Sequence, residues 1–370
     1  MEMETITRVV PIKLICRKLL KKGGFAPLLL FLFNFLLFPW DFSTGVYLST
    51  SISSNIYSNY EKISDVISRG GLDISLYPGH GLELYVFSDY SSFKNNSWLS
   101  FLTLETGLDW IRYFKGRSLF HLNLALGIQR FTASYDYYNY RQPSLTAEFK
   151  YYLSPSLLLR SSYSMKYTRF SYYPAYSSFK HYFFVQLNEF LPLEMAAREE
   201  LGGRIKKYKE SDSYLRQIYA KFRLSKGFGY RIGVAAQLEL KKNRAFESVP
   251  GIIEENFFFT TPFYDEFSWD GYRAFVQAKV ILPLEIELTA RASHSKRKFT
   301  NIPALDLEGN PIVPLQDRRD YLNEFYLSLS RKWRSFGVSI RMLLRHNTSN
   351  DPYFTFSDSY VFAGLYFYPF

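Results

Sequence analysis

From Leu119 the chain reads LFHLNLALGIQRF, with Phe120, Leu122, Leu124, Leu126 and Ile128 on one phase and His121, Asn123, Ala125, Gly127 and Gln129 on the other. Strict alternation of this kind describes a strand whose two faces meet different surroundings, because successive side chains point to opposite sides. The pattern recurs along the chain. Leu82, Leu84 and Val86 alternate with Glu83, Tyr85 and Phe87, and Ile232, Val234, Ala236, Leu238 and Leu240 alternate with Gln237, Glu239 and Lys241. Further copies run from Tyr272 to Val280 and from Ile286 to Ala292. After residue 45 no long helical stripe interrupts it, so the chain is constrained to an all-β fold.

The connections between these segments are alternately tight and roomy. Turn residues mark the tight ones, as in YPGHG at 77–81, FKGRS at 114–118, LSPS at 153–156, SKGFG at 225–229 and ILPLE at 281–285. The roomy ones are polar and aromatic, and two are long, at 245–268 and 300–319. Short turns on one rim and longer loops on the other describe a transmembrane antiparallel up-and-down β-barrel, its short turns periplasmic and its longer loops extracellular. Strand starts fall near Val46, Val66, Gly81, Leu99, Ser118, Ser144, Leu157, Phe179, Met195, Tyr214, Tyr230, Gly271, Glu285, Tyr321, Gly337 and Tyr360. That gives about sixteen strands, an even number with both termini on one side, and fourteen is the alternative. The doubtful segment is 195–208, where strand phase puts Glu199 toward lipid beside Ala197 and Leu201.

Aromatic residues make up 19% of the 370 residues, although mean hydropathy is −0.16. Such an excess suits interfaces where amphipathic rings sit at headgroup level. Residues 1–45 read as a secretory signal peptide, with Lys13, Arg17, Lys18, Lys21 and Lys22 ahead of the apolar run APLLLFLFNFLLFPW. Its expected cleavage follows Gly45, leaving 46–370 as the barrel. Cys16, the one cysteine, lies inside that segment, so disulfides are excluded from the mature chain.

The chain ends SDSYVFAGLYFYPF, where Tyr360, Phe362, Gly364, Tyr366, Tyr368 and Phe370 share a phase that is expected to face lipid. Val46, Leu48 and Ile52 of the first strand supply the matching outward face, and closure of last strand on first removes the exposed edge. With Phe370 last and Tyr368, Tyr366 and Phe362 at alternating positions before it, the chain resembles the bacterial outer-membrane β-barrel proteins. The resemblance implies a Gram-negative-type outer membrane, with lipids and lipopolysaccharide around the barrel. It also implies that Phe362, Tyr366, Tyr368 and Phe370 act as the signal read by the barrel-assembly machinery.

If the apolar phase faces outward, the opposite phase collects the charges. An acidic group, Asp73, Glu83, Asp89, Glu105 and Asp109, falls on strands two to four, with Arg69 nearby. A basic group, Arg160, Lys166, Lys221, Arg223, Arg231, Lys241, Arg273, Lys279, Arg291, Arg341 and Arg345, falls on later strands. Each Lys or Arg on the lipid face at midplane would cost about 2–4 kcal/mol, so a polar interior is implied. In a barrel of about sixteen strands the third lies across from the eleventh, and the two groups would line a pore as facing walls. Such a field favours small anions where Lys and Arg dominate; the plainer reading is that the charges pair across strands and hydrate the wall. In the 245–268 loop, GIIEENFFFTTPFYDEF is apolar enough to fold over the mouth as a constriction, or to pack against its neighbours.

Catalytic and cofactor signals are thin. Serine hydrolysis needs a nucleophile, a base and an orienter together, and the five histidines, His80, His121, His181, His294 and His346, fall on separate segments. No cofactor, metal spacing or phosphate loop is expected. A net charge of +11 is spread over many strands, which favours lipopolysaccharide phosphates and anionic solutes over nucleic acid. The leading reading is a passive or weakly anion-leaning channel for small solutes. Its alternatives are a closed structural or surface-interaction barrel, and an envelope-assembly or export barrel.

Overall fold

The computed structural model describes residues 41–114, 118–174, 177–209, 214–245 and 269–367. Sixteen antiparallel strands close on themselves, each beside its sequence neighbours and the last beside the first. In chain order they are β1 Asp41–Ser53, β2 Asp65–Gly79, β3 Leu82–Phe93, β4 Phe101–Phe114, β5 Ser118–Phe131, β6 Tyr140–Ser154, β7 Leu157–Phe170 and β8 Ser178–Leu191. The second half comprises β9 Met195–Tyr208, β10 Tyr214–Phe228, β11 Ile232–Ala245, β12 Asp270–Leu282, β13 Ile286–Pro303, β14 Asp317–Lys332, β15 Phe336–Ser349 and β16 Phe356–Phe367. The doubtful segment is therefore a full strand, and Glu199 does share the outward phase with exposed Leu201.

Hydrogen bonds that skip a strand identify the concave face, because only there do side chains from next-nearest strands converge. Tyr47 of β1 donates to Asp89 of β3, Asn123 of β5 donates to Tyr85 Oη of β3 at 3.1 Å, and Arg273 of β12 reaches Glu324 of β14 at 2.6 Å. Following the register from these contacts assigns every strand. Leu48, Val86, Leu124 and Val276 point outward and are exposed, as an apolar band for lipid requires.

That register corrects the expected face of the last strand. Arg341 pairs with Phe362 and Arg345 with Asp358 across β15 and β16, so Tyr360, Phe362, Gly364 and Tyr366 lie on the concave side. The outward set is Val361, Ala363, Leu365 and Phe367, with Leu48 opposite Leu365 and Ile52 opposite Val361 at the closing seam. Both phases of this segment are apolar; Tyr366, whose hydroxyl meets Ser339 and Arg341, sits inside, while Val361, Ala363 and Leu365 face out. Tyr368 and Phe370 lie outside the described residues.

Two boundaries also differ from expectation. β1 begins at Asp41, five residues ahead of Val46, and residues 41–45 pair with 73–77 of β2. The 300–319 loop shrinks to 304–316, because β13 and β14 extend beyond the neighbouring strands and pair up to Pro303 and Asp317. Residues 250–264 of the expected constriction lie outside the described residues.

Inside the wall, tyrosines lie over glycines. A Cβ on Gly71 would come within 2.2 Å of the Tyr47 ring, one on Gly107 within 2.5 Å of Tyr85, and one on Gly202 within 2.4 Å of Tyr219. The missing side chain leaves the hollow that the ring occupies.

Candidate functional site: the charged inner wall

The concave face divides into two arcs. Strands β2 to β4 carry the acidic residues Asp73, Glu83, Asp89, Glu105 and Asp109, and their partners are mostly uncharged hydroxyls. Tyr47 and Ser91 donate to Asp89, Tyr77 donates to Glu83 at 3.2 Å, and Tyr85 donates to Glu105 at 3.0 Å. Asp109 meets the His121 ring of β5. None of these five carboxylates has a Lys or Arg partner among the described residues. In strand order the acidic arc stands half a turn of the barrel from β10 to β12.

The other arc is basic, and much of its charge is compensated. Glu148 sits between Arg160 and Lys150, Glu200 meets Lys221 at 2.8 Å, Glu324 meets Arg273 at 2.6 Å, and Glu287 meets Lys279 at 2.8 Å. Asp358 takes both Nε and Nη2 of Arg345, at 2.9 and 2.5 Å, and Ser58 from the first outer loop joins the same guanidinium at 2.7 Å. Buried Arg318 holds Asp320 in the same two-pronged manner. These acidic counterparts, Glu148, Glu200, Glu287, Glu324, Asp320 and Asp358, are visible in the sequence as carboxylates on the inward phase of basic strands.

Besides Arg297, four arginines in the basic arc stand out as having no carboxylate within ion-pair distance among the described residues. Arg198 and Arg223 are direct cross-strand neighbours on β9 and β10. Arg198 donates from Nε to Asn188 at 2.9 Å, and Arg223 stands 5.9 Å from the Phe275 ring centre. Arg291 lies against Phe275 and Tyr326, and Arg341 donates to Tyr366 at 3.0 Å. Arg160, Arg198 and Arg223 border a cavity of about 380 Å³ near the short-turn rim, with Gln186, Asn188 and Phe190 completing its wall. Like charges placed directly opposite destabilise a sheet unless something neutralises them; a guanidinium pair without carboxylates is a ready anion contact. Arg198 follows from extending the alternation through β9, as does Arg204.

Of the remaining basic candidates, Lys166 is on the concave face, in register with Lys180, which in turn faces Lys206. Arg231 is a correction: it lies in the turn between β10 and β11, exposed and stacked on Tyr230 at 5.0 Å, rather than in the wall. Strand β11 begins one residue later, after the turn that Gly229 opens at positive φ.

At the long-loop end the mouth narrows above the acidic arc. Leu99, Ile67 and Phe93 form a buried apolar cluster, with Ile56, Tyr57, Phe101 and Tyr135 packed against it. Ile67, Phe93 and Phe101 project from the concave faces of β2, β3 and β4, so the outer loops fold inward onto this side. Burial in this cluster pushes the Tyr57 hydroxyl up to about 12. Asp65 ties the entrance by accepting from Asn95 N, Asn96 N and Asn96 Nδ2 at 2.8–3.0 Å. Farther round, the Asn310 amide and its neighbours hold Asp306 below the usual carboxylate range, whereas burial raises Asp351.

The histidines do not assemble a hydrolytic site among the described residues. His346 Nδ1 does lie 2.7 Å from Ser357 Oγ on the outward face, which the sequence did not suggest, but its other nitrogen meets only Thr348 Oγ1 at 3.3 Å. A carboxylate or amide orienter is missing from this pair. No group of three or more metal-ligating side chains occurs among the described residues.

No family model and no curated protein matches the chain. Solved structures do. A bacterial polysaccharide outer-membrane secretin superposes with a TM-score of 0.53 at 10% identity, covering 88% of this chain and 97% of that one. OccAB1 of Acinetobacter baumannii gives 0.50 at 10% identity, with 90% and 97% covered. CdiB of Acinetobacter baumannii gives 0.55 at 10% identity over 88% of this chain, which spans 60% of that longer protein. The chain thus has the fold of a porin-like outer-membrane barrel.

Proposed function

We propose that this barrel is a passive channel of the outer membrane for small solutes, leaning toward anions. The observation that carries the reading is the Arg198–Arg223 pair, which faces an open cavity without a carboxylate partner while Lys221, Arg273, Lys279 and Arg345 each have one. Compensated pairs hydrate a wall; uncompensated guanidinia attract counter-ions from the lumen. The apolar cluster over the acidic arc supports the same reading, since it crowds the entrance on the cation-attracting side.

Export would use residues 1–40 as a signal. Cleavage at or before Asp41 keeps β1 whole, whereas cleavage after Gly45 removes five residues that pair with β2. The test of the channel reading is the reversal potential of the refolded chain from Asp41 onward, in a planar bilayer under a salt gradient. Discrete steps with an anion-leaning potential are expected, and Arg198→Glu with Arg223→Glu should move that potential toward cations. A folded barrel that passes no current would shift the reading to the closed surface-interaction barrel. The clustered loop tyrosines favour that second reading, Tyr135 stacked on Tyr137 and Tyr173 meeting Tyr137 edge-on.

A further inference from the structure

The outward face carries a second pattern of charge, separate from the lumen and confined to one rim. At the long-loop ends of β5 to β7 stand Arg130, Arg141 and Arg169, all exposed and all on the lipid-facing phase. Arg141 and Arg169 are direct cross-strand partners. Lys296, Lys298 and Arg319 repeat the arrangement on β13 and β14, where Lys298 lies opposite Arg319. Between them, Lys207, Arg216 and Lys242 occupy the same level on β9 to β11. Two carboxylates share this belt, Asp317 at 3.2 Å from Lys298 and Asp270 at 3.6 Å from Lys242. At the short-turn rim the outward strand cations are the isolated Arg112, Lys226 and Arg331.

Three properties select the occupant. Cations at the edge of the apolar band cost only about 0–1 kcal/mol each, so the rim tolerates them where the midplane would not. Arg141 and Arg169 repel one another unless an anion bridges them, and at Lys298–Arg319 Asp317 supplies a single carboxylate for two cations; arginine forks suit phosphate. Toward the midplane the face below Arg141 and Arg169 turns apolar at once, with Leu145 opposite Met165, whereas below Arg319 come Tyr321 and the His294–Asn323 pair before Phe325 and Leu327. A ligand that meets both surfaces has phosphates at the rim and acyl chains along the strands.

The geometry points to a docking belt for a phosphorylated glycolipid of the outer leaflet, the lipid A class, running over β5 to β14 with the Arg141–Arg169 and Lys298–Arg319 pairs as its phosphate clamps. This assignment rests on the outer-membrane placement of the barrel and not on the channel reading, so a barrel that passes no current leaves it standing. On β1 to β4, β15 and β16 the outward phase at this level offers a single cation, Lys94 just past β3, which weights the belt to one side.

The test is the thermal midpoint of the purified barrel in a neutral maltoside, titrated with diphosphorylated lipid A, with its dephosphorylated form and with inorganic phosphate. Lipid A should raise the midpoint in a saturable manner, and the other two should leave it in place. Replacing Arg141, Arg169, Lys298 and Arg319 with Gln should weaken lipid A binding at least tenfold, while the midpoint without lipid stays or rises because repulsion is relieved. An equal rise from the dephosphorylated form would overturn the proposal in favour of acyl contact alone. A full rise from inorganic phosphate would reduce the belt to a free-anion site. Should the substituted barrel fail to fold, Arg141→Gln with Arg169→Gln alone must still lower the number of lipid A molecules retained in native mass spectrometry; unchanged retention would also sink the idea.

Discussion

The acidic and basic arcs of the inner wall obey the same period-two rule, yet they settle their charges differently. On β2 to β5, carboxylates are held by Tyr47, Tyr77, Tyr85 and His121. From β6 to β16, carboxylates are interspersed among cations, and most are locked into ion pairs. A tyrosine hydroxyl satisfies a lone pair without cancelling the charge, so the acidic arc keeps its field. An ion pair cancels it, so the field of the basic arc is concentrated in the few arginines left over. Counting charges by sign overstates the second arc and understates the first.

The contrast makes quantitative demands. The largest effect belongs to Arg345→Met, which strands Asp358, whose side chain is 2% exposed. Losing one partner of a buried ion pair should cost about 3–5 kcal/mol in the urea unfolding of the folded barrel. A cost near zero would mean that the basic arc is held no more tightly than a surface. Gly107→Ala comes next, at about 1–3 kcal/mol, because the added Cβ meets both the Tyr85 ring and the Leu124 carbonyl and no rotamer relieves the second contact. Tyr85→Phe should cost about 1.5 kcal/mol, since Glu105 loses a hydrogen bond to its charged oxygen and Asn123 a neutral one, and both stay within reach of water. If Tyr85→Phe proved as damaging as Arg345→Met, the distinction between the arcs would fail.

The smallest effect repeats the contrast in the outer loops. Asp306 is held by backbone N–H donors and lowered, so it should titrate below the ordinary Asp value of about 3.9 when followed through the Asn310 amide resonance. Its stabilisation is present above the ordinary value and fades as pH falls through the lowered one. Asp351 is raised by burial, and its contribution has the opposite sign: full below the ordinary value and lost as pH rises through the raised one. Finding both carboxyls on the same side of the ordinary value would contradict this assignment.

Much of this was legible in the residues. Alternation located all sixteen strands, several starting where expected, as at Ser118, Leu157, Met195 and Tyr214. It also placed residues such as Arg160, Lys221 and Asp89 on the concave phase. What it missed required register. Phe362 looks like a lipid-facing residue until its cross-strand partner is known to be Arg341, and no periodicity within β16 can supply that fact. Pairing between Glu324 and Arg273 crosses an intervening strand and leaves no local trace in sequence. Folding of Tyr135 and Leu99 over the mouth was equally hidden, because a short polar-aromatic loop does not announce which wall it leans on.

The tyrosines seated over glycines bear on a different quantity, the free cross-section of the tube. The chain has 31 tyrosines, and rings standing upright from the wall would take up much of the width available to a solute. Where Gly71, Gly107 and Gly202 lie beneath Tyr47, Tyr85 and Tyr219, each ring instead fills space that a Cβ would have occupied. Aromatic bulk is thereby moved from the bore into the thickness of the wall, so the free width of the tube depends on how these rings lie as well as on how many there are.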